Sequence, residues 1–289
     1  MKKLKLLTLI SALLMGLSLT SCLDSGDTTS YDDIRTVYVY ESIYSGTPYF
    51  VDALGNRYMP TAASWSNINS QLTSSSIDLS DYKMATILFN YVVEDETSTT
   101  PSTTSSTSQQ YTIELAAITT LFDSAPVMYV QSAENLEDYE TAPVLRLGDN
   151  VSAYSYLAIP PQQYDDKTIA MTTGFWMADD KEQLDMHQLR MIYVKDEITA
   201  ESTDFVLYVC HNRGTDDKAV NYYGNAYCFD LEYALADFRS VTGNDPKNII
   251  IKAKEIYLTS TPTTDLPENY SDHEIEYKTL EELYPTTTN

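Results

Sequence analysis

The sequence predicts a mainly β protein, in which a small OB-like barrel is followed by a β-sandwich. Five runs rich in β-branched and aromatic residues fall in the first half, as expected for a five-stranded barrel. From residue 143 onward further runs recur at the spacing of roughly 8 to 12 residues that is typical of sandwiches. A hydrophobic fraction of 43% is sufficient for buried cores.

The N-terminus has the pattern of an export signal. Lys2, Lys3 and Lys5 precede an apolar run over 6–19, which is shorter than the ~20 residues needed to span a membrane. The segment Leu19-Thr-Ser-Cys22 resembles a lipobox, in which the thiol of the new N-terminal residue accepts lipid. We therefore expect a signal peptide over 1–21, lipid attachment at Cys22, an acidic tether over 22–33, and an outer membrane lipoprotein that is periplasmic or surface-exposed.

Charge narrows the range of partners. Removal of residues 1–21 deletes three lysines and no acid, so that the formal charge changes from −24 to −27. Such a chain repels phosphate backbones, which excludes nucleic acid as a partner. It also repels anionic lipid, so we expect membrane contact only through the N-terminal lipid.

The first domain is predicted over 34–125. A turn at Gly55 and Asn56 joins two runs into a hairpin. A Ser/Thr-rich segment over 96–109 cannot bury enough apolar surface to fold, and we expect a disordered loop there. The predicted strands are 36–43, 48–52, 57–59, 84–93 and 110–118.

The second domain is predicted over 140–258. Alternation places Phe205, Leu207 and Val209 on one face of their strand, and Tyr227, Phe229 and Leu231 on one face of the next. A short helix is expected before Gly243. Residues 259–289 are expected to form a loosely ordered acidic tail with a helical turn at 280–283. The predicted strands are 168–177, 188–194, 204–211, 225–231 and 248–256.

Two stretches resemble a known family. They are Asp204-Phe-Val-Leu-Tyr-Val-Cys-His-Asn-Arg-Gly-Thr-Asp-Asp217 and Gly224-Asn-Ala-Tyr-Cys-Phe-Asp-Leu231. Together with the lipobox, they resemble the NigD-like lipoproteins of Bacteroidetes over roughly residues 22–257. The strand over 168–177 fits that pattern poorly, and the tail lies beyond it. The resemblance implies a lipoprotein with an OB-like domain and a β-sandwich domain, and no established biochemical activity.

No catalytic, metal or cofactor motif is present. The chain lacks a Gly-x-Ser-x-Gly elbow, and its 9 glycines form no phosphate-binding loop. His187, His211 and His273 have no zinc-ligand spacing. We expect His211 to be a structural histidine at a strand end. The acid pairs at 179–180 and 216–217 lack the calcium-loop pattern, and we expect solvated turns there.

Cys210 and Cys228 are the only thiols besides Cys22. Export to an oxidising compartment favours disulfides. We expect the strands that carry these two residues to be neighbours joined by the loop 213–224, so that a cross-strand bond between Cys210 and Cys228 is geometrically possible. The alternative is two unbonded thiols.

Function is predicted only in outline. Tyrosine is abundant, with 24 residues against 7 Phe and 2 Trp. It suits strands, and it also provides rigid contact groups at binding surfaces. We expect a non-catalytic binding or accessory lipoprotein whose partner is an envelope protein or a glycan. The alternatives are a glycan hydrolase with an unrecognised carboxylate pair, and an accessory subunit of an envelope or bacteriocin-related system.

Overall fold

The computed structural model describes residues 31–41, 46–92, 108–149, 151, 158–179 and 181–285. The signal peptide, Cys22, most of the tether and most of the Ser/Thr-rich loop lie outside these residues. The chain divides into two compact units, Met1–Leu121 and Phe122–Asn289. No helix among the described residues is both long and apolar enough to cross a membrane.

The first unit is a closed five-stranded barrel. Its elements are β1 (Asp33–Glu41), β2 (Pro48–Val51), β3 (Arg57–Pro60), α1 (Ala62–Ser74), β4 (Met84–Tyr91) and β5 (Gln110–Ala125), of which the last four residues belong to the second unit. The strand order is β3-β2-β1-β4-β5, and a parallel β3–β5 pairing closes the ring. This order, with a helix between the third and fourth strands, is the Greek-key barrel of an OB fold.

Helix α1 was not predicted from the sequence. Its segment is polar on most sides, and among its residues only Ile68 and Leu72 are fully buried. Thr61 caps the helix by accepting a hydrogen bond from the backbone N–H of Ser64. Burial of these two side chains against the barrel and the N-cap stabilise the helix, so it forms without a strong periodic pattern of apolar residues.

The second unit is a two-sheet sandwich. Its strands are β6 (Val127–Val130), β7 (Val144–Leu145), β8 (Gln162–Gln163), β9 (Thr168–Met177), β10 (Gln188–Val194), β11 (Asp204–Asn212), β12 (Asn221–Asp230), β13 (Asn248–Ala253), β14 (Glu255–Ile256) and β15 (Ser271–Glu276). One sheet has the order β15-β13-β11-β10-β6, and the other contains β12, β9 and β8 beside the end of β5. The predicted fold class is confirmed.

The sandwich core lies between these sheets. Phe205, Leu207 and Val209 face it from β11, and Tyr227 and Phe229 face it from β12, as predicted. Helix α2 (Glu232–Thr242) adds Leu235 and Phe238 to the core. Gly243 ends this helix with φ +75°, a left-handed conformation that glycine adopts without strain.

The prediction of a loose tail is wrong for residues 271–276. Strand β15 pairs along its whole length with β13, and Tyr277 beyond it is buried. The predicted helical turn is α3 (Leu280–Leu283). The tail and β6 belong to the second unit, so this unit begins earlier and ends later than the predicted range of 140–258.

The predicted neighbourhood of the two cysteine strands is also wrong. Cys210 lies on β11, between β10 and β13, whereas Cys228 lies on β12 in the other sheet. Both cysteines are buried and no disulfide joins them. The chain crosses from one sheet to the other between β11 and β12, so the segment between them is not a hairpin.

Candidate functional site

Strands β1, β2 and β3 present an outward face of the barrel that is rich in tyrosine. On β1, Val37 points into the core, so alternation turns Tyr38 and Tyr40 outward. On β2 and β3, Phe50 and Tyr58 are buried, so Tyr49 and Arg57 face outward. We call Tyr38, Tyr40, Tyr49 and Arg57 the aromatic face.

The aromatic face is centred on a stacked pair of rings. Tyr40 and Tyr49 are direct cross-strand partners, with ring centroids 5.3 Å apart and planes inclined by 13°. The guanidinium carbon of Arg57 lies 5.7 Å from the centroid of the Tyr49 ring. Tyr40 is 45% exposed, whereas a tyrosine in a protein core buries most of its ring. The pair is therefore a preformed aromatic cluster in which Tyr40 is open to solvent and Tyr49 is half-buried.

Asp52 fixes the hairpin that carries Tyr49 and Arg57. Its carboxylate accepts hydrogen bonds from the backbone N–H groups of Leu54 and Asn56, each at 2.9 Å, and from the Tyr58 hydroxyl at 2.9 Å. Burial, together with this carboxylate, raises the pKa of Tyr58. Asp52 therefore holds together the β2–β3 hairpin, which carries Tyr49 and Arg57 of the aromatic face.

Five other tyrosines have a structural role. Their hydroxyls donate hydrogen bonds to carboxylates, which satisfies the polar end of a half-buried ring. By contrast, the hydroxyls of Tyr40 and Tyr49 have no hydrogen-bond partner in the part of the chain that the structure describes. The structural pairs are Tyr58–Asp52, Tyr91–Asp33, Tyr193–Asp237, Tyr208–Glu197 and Tyr270–Glu140.

The abundance of tyrosine in the sequence indicated a possible binding surface, but it did not identify which tyrosines form it. The alternation of Tyr38 and Tyr40 within the predicted strand 36–43 was a usable signal, because it places both rings on one face. The cross-strand register that stacks Tyr40 on Tyr49 could not be read from the sequence, since the length of the connection between β1 and β2 does not fix it.

A second feature is a buried chain of hydrogen bonds through two histidines. Nδ1 of His187 lies 2.9 Å from Nε2 of His211, and Nε2 of His187 lies 3.1 Å from Oδ2 of Asp216. Nδ1 of His211 lies 3.2 Å from the carbonyl oxygen of Pro143. Both rings stack on Phe175, with centroids 4.7 and 4.3 Å from its own. Asp216 is therefore buried, which corrects the expected solvated turn, while His211 has the expected structural role.

The number of protons that this chain of hydrogen bonds can hold is limited. A carbonyl and a carboxylate only accept, so three contacts need three protons, whereas two neutral imidazoles carry two. Two neutral rings can therefore donate the two outer hydrogen bonds, and an added proton places a charge in the core, which burial disfavours. Burial lowers the pKa of His187, and burial with the neighbouring ring lowers the pKa of His211 to about 3.

Asp216 is held in its ionised form. Burial by itself would raise the pKa of this carboxyl, but the backbone N–H groups of Ala178 and Lys218 and the His187 ring together lower it. The Arg213 guanidinium donates to the Asp216 carbonyl oxygen at 2.9 Å and adds positive charge nearby. This hydrogen-bond chain is not accessible to a substrate, since the side chains of His187 and Asp216 are 1% and 2% exposed. We assign it a structural role.

A groove of about 600 Å³ lies between α1 and strands β4 and β5. Its lining combines amide and hydroxyl side chains with apolar ones such as Ile68 and Leu115, and among the described residues Glu114 is its one carboxylate. Hydrolysis of a glycosidic bond ordinarily needs two carboxyl groups that face each other. No cluster of three or more metal-ligating side chains is found among the described residues.

Comparison with known proteins shows likeness at the level of the fold. No family model matches the sequence, and no curated protein matches it. A crystal structure from Bacteroides fragilis NCTC 9343, provisionally named a lipoprotein, is similar with a TM-score of 0.57 and 20% identity, over 86% of this chain and 98% of that one. At that identity the similarity shows the fold alone.

Two further structures are more distant. A protein of unknown function from Bacteroides vulgatus ATCC 8482 has a TM-score of 0.48 and 11% identity, over 85% of this chain and 90% of its own. A protein from Parabacteroides distasonis ATCC 8503, provisionally named toxin-related, has a TM-score of 0.44 and 14% identity, over 87% and 95%. The chain therefore shares its two-domain β architecture with a protein of Bacteroides.

Proposed function

We propose that the protein is a lipid-anchored envelope protein of the NigD-like type, and that it binds carbohydrate through the aromatic face without catalysis. The stacked Tyr40–Tyr49 pair beside Arg57, in which Tyr40 is exposed and Tyr49 half-buried, is the observation that carries the binding role. The lipobox at Cys22 supports the lipid anchor, and with it the outer membrane location that we propose.

The fold and the charge together favour carbohydrate. OB barrels bind oligonucleotides or oligosaccharides, chiefly on the surface of their second and third strands. The formal charge of −24 opposes the phosphates of an oligonucleotide. Tyrosine rings offer flat apolar surface against the C–H face of a sugar, while their hydroxyls and the Arg57 guanidinium can bond sugar hydroxyls.

A binding role without catalysis agrees with the groups on the aromatic face. Its members are three phenols and one guanidinium, none of which supplies the carboxyl pair of a glycan hydrolase. Behind the aromatic face, the hydrogen bond from the Tyr58 hydroxyl to Asp52 fixes the β2–β3 hairpin, as a preformed binding surface requires.

Affinity gel electrophoresis tests the proposal. The chain from residue 23 onward would be run through gels that contain soluble β-glucan, mannan, xylan or starch. We expect retardation by at least one polysaccharide, and loss of that retardation in Tyr49→Ala. The matched control is Tyr233→Ala, since Tyr233 is 87% exposed on α2 in the other unit. No retardation in any gel, or equal retardation of Tyr49→Ala and the parent, would refute the proposal.

A further inference from the structure

The second unit contains a small cavity of about 260 Å³ that is lined with charged groups. Arg146, Glu255, Tyr257, Ser271 and His273 contribute to its wall. Pockets for drug-sized ligands are usually larger, about 300–1,000 Å³, so the occupant of this cavity is small.

Three segments that are distant in sequence form this cavity. Strands β7 and β14 pair in parallel, and the backbone N–H of Arg146 donates to the Ile256 carbonyl at 3.0 Å. This pairing sets Arg146 beside Tyr257. Strand β15 adds His273, which is the register partner of Ile251 on β13. The side chains therefore converge on a backbone that is fixed by two sets of strand pairing.

The one buried carboxylate of the cavity is already engaged. Oε1 of Glu255 lies 2.7 Å from Nε2 of His273 and accepts a hydrogen bond from the Leu147 N–H at 2.9 Å. The Glu255 side chain is 6% exposed, which keeps this pair largely out of water. Asp272 also borders the cavity, but its register partner is Lys252, so alternation turns its side chain to the face opposite His273.

Arg146 is the cation of the cavity whose charge is not neutralised. Its guanidinium carbon lies 5.3 Å from the centroid of the Tyr257 ring, and no carboxylate pairs with it in the described ranges. Arg35 and Arg239 pair with the carboxylates of Asp33 and Asp245. Arg57 and Arg190 resemble Arg146, since each lies over a tyrosine ring, but neither contributes to this cavity. Contact with a ring face holds a guanidinium in place and leaves its in-plane N–H donors available.

We propose that this cavity binds a small hydroxylated carboxylate of the uronic acid type, with the carboxylate held by Arg146. The planar guanidinium fork matches a carboxylate in a two-bond arrangement. The Ser271 hydroxyl and the Tyr257 ring, which is 56% exposed, provide contacts for the hydroxyls and for the sugar ring. The site is in the second unit and does not depend on the barrel face.

Isothermal titration calorimetry with glucuronate as the probe tests this site, and glucose serves as the neutral counterpart. We expect glucuronate to bind and glucose to bind at least about tenfold more weakly, because charge-assisted hydrogen bonds are about twice as strong as neutral ones. Arg146→Gln should weaken glucuronate binding about tenfold or more. The control is Arg190→Gln, since Arg190 lies at the same 5.3 Å distance over the Tyr139 ring but outside the cavity.

The outcomes that would overturn the proposal are distinct from those of the barrel experiment. Equal affinity for glucose and glucuronate, no heat with glucuronate, or unchanged affinity in Arg146→Gln would each refute the carboxylate site. If thermal unfolding shows that Arg146→Gln does not fold, Arg146→Lys provides the test. It keeps the charge but loses the planar fork, so the proposal predicts an affinity for glucuronate below that of the parent, and an unchanged affinity contradicts it.

Discussion

His187 and His211 meet within the core of the second unit, with Nδ1 of the first ring 2.9 Å from Nε2 of the second. Asp216 and the Pro143 carbonyl terminate this chain at its two ends. Because the Asp216 carboxylate and the Pro143 carbonyl only accept hydrogen bonds, the number of protons that this hydrogen-bond chain can hold in the folded state is limited. This arrangement links stability to pH.

The free energy of unfolding should fall as the pH drops from about 6.5 toward 3. His211 has a pKa of about 3 in the folded chain against about 6.5 when unfolded, so the unfolded state binds more protons in this window. Its contribution is complete above pH 6.5 and is lost at up to about 1.4 kcal/mol per pH unit below it. The lowered pKa values of His187 and Asp216 act in the same direction.

Urea unfolding between pH 3.5 and 8 measures this effect. His211→Gln should be less stable than the parent at pH 8 and should show a shallower decline with acid. His273→Gln serves as the control, because His273 is hydrogen-bonded to Glu255 and is not part of the hydrogen-bond chain through His187 and His211. Parallel profiles for the parent and His211→Gln would show that His211 does not cause the pH dependence.

Tyr270→Phe should destabilise the protein by about 1–3 kcal/mol. The Tyr270 hydroxyl donates to Oε2 of Glu140 at 2.8 Å, and the Glu140 side chain is 5% exposed, so the carboxylate would lose a partner that water cannot replace. Tyr233→Phe should change stability by no more than about 0.5 kcal/mol, because its ring is exposed. Equal denaturation midpoints for the two variants would contradict the assigned role of Tyr270.

Both cysteines of the second unit should remain unreactive in the native protein. Cys210 and Cys228 are 0% and 1% exposed, and burial, with the nearby Glu140, raises the pKa of Cys210. A thiol reagent applied without reductant should detect none in the folded chain from residue 23 onward, and two after denaturation. Detection of no thiol after denaturation would indicate a disulfide and would contradict the observed strand order.

Cys22→Ser should release the protein from membranes. The lipobox makes Cys22 the predicted attachment, and no helix among the described residues could anchor the chain instead. Immunoblots of soluble and membrane fractions after a high-salt wash provide the measurement. Retention of the variant in the membrane pellet would refute attachment through Cys22 alone.

Much of the strand content could be predicted from the sequence, because alternation of apolar and polar residues determines which face of a strand is buried. Phe205, Leu207 and Val209 show this clearly. Strand β15 was missed, since it is a polar edge strand in which only His273 and Ile275 face inward. Edge strands lack the two-sided apolar pattern that makes a central strand recognisable.

The order of strands and the contacts between distant residues could not be predicted. The strands of Cys210 and Cys228 were predicted to be neighbours because one loop joins them, but β11 and β12 belong to different sheets. The contact of His187 with His211 depends on the β10–β11 register, in which Leu189 lies opposite His211. No spacing in the sequence indicates that register, and so the buried histidine chain was not anticipated.

The central claim is that carbohydrate binds at the aromatic face, and ring-proton NMR of selectively labelled tyrosine tests it most directly. The polysaccharide that retards the protein most would be added as short oligosaccharides, with ring signals assigned by single Tyr→Phe variants. The account predicts that the signals of Tyr40 and Tyr49 shift in a saturable way while that of Tyr233 remains in place. Unchanged Tyr40 and Tyr49 signals, with saturable shifts elsewhere, would contradict it.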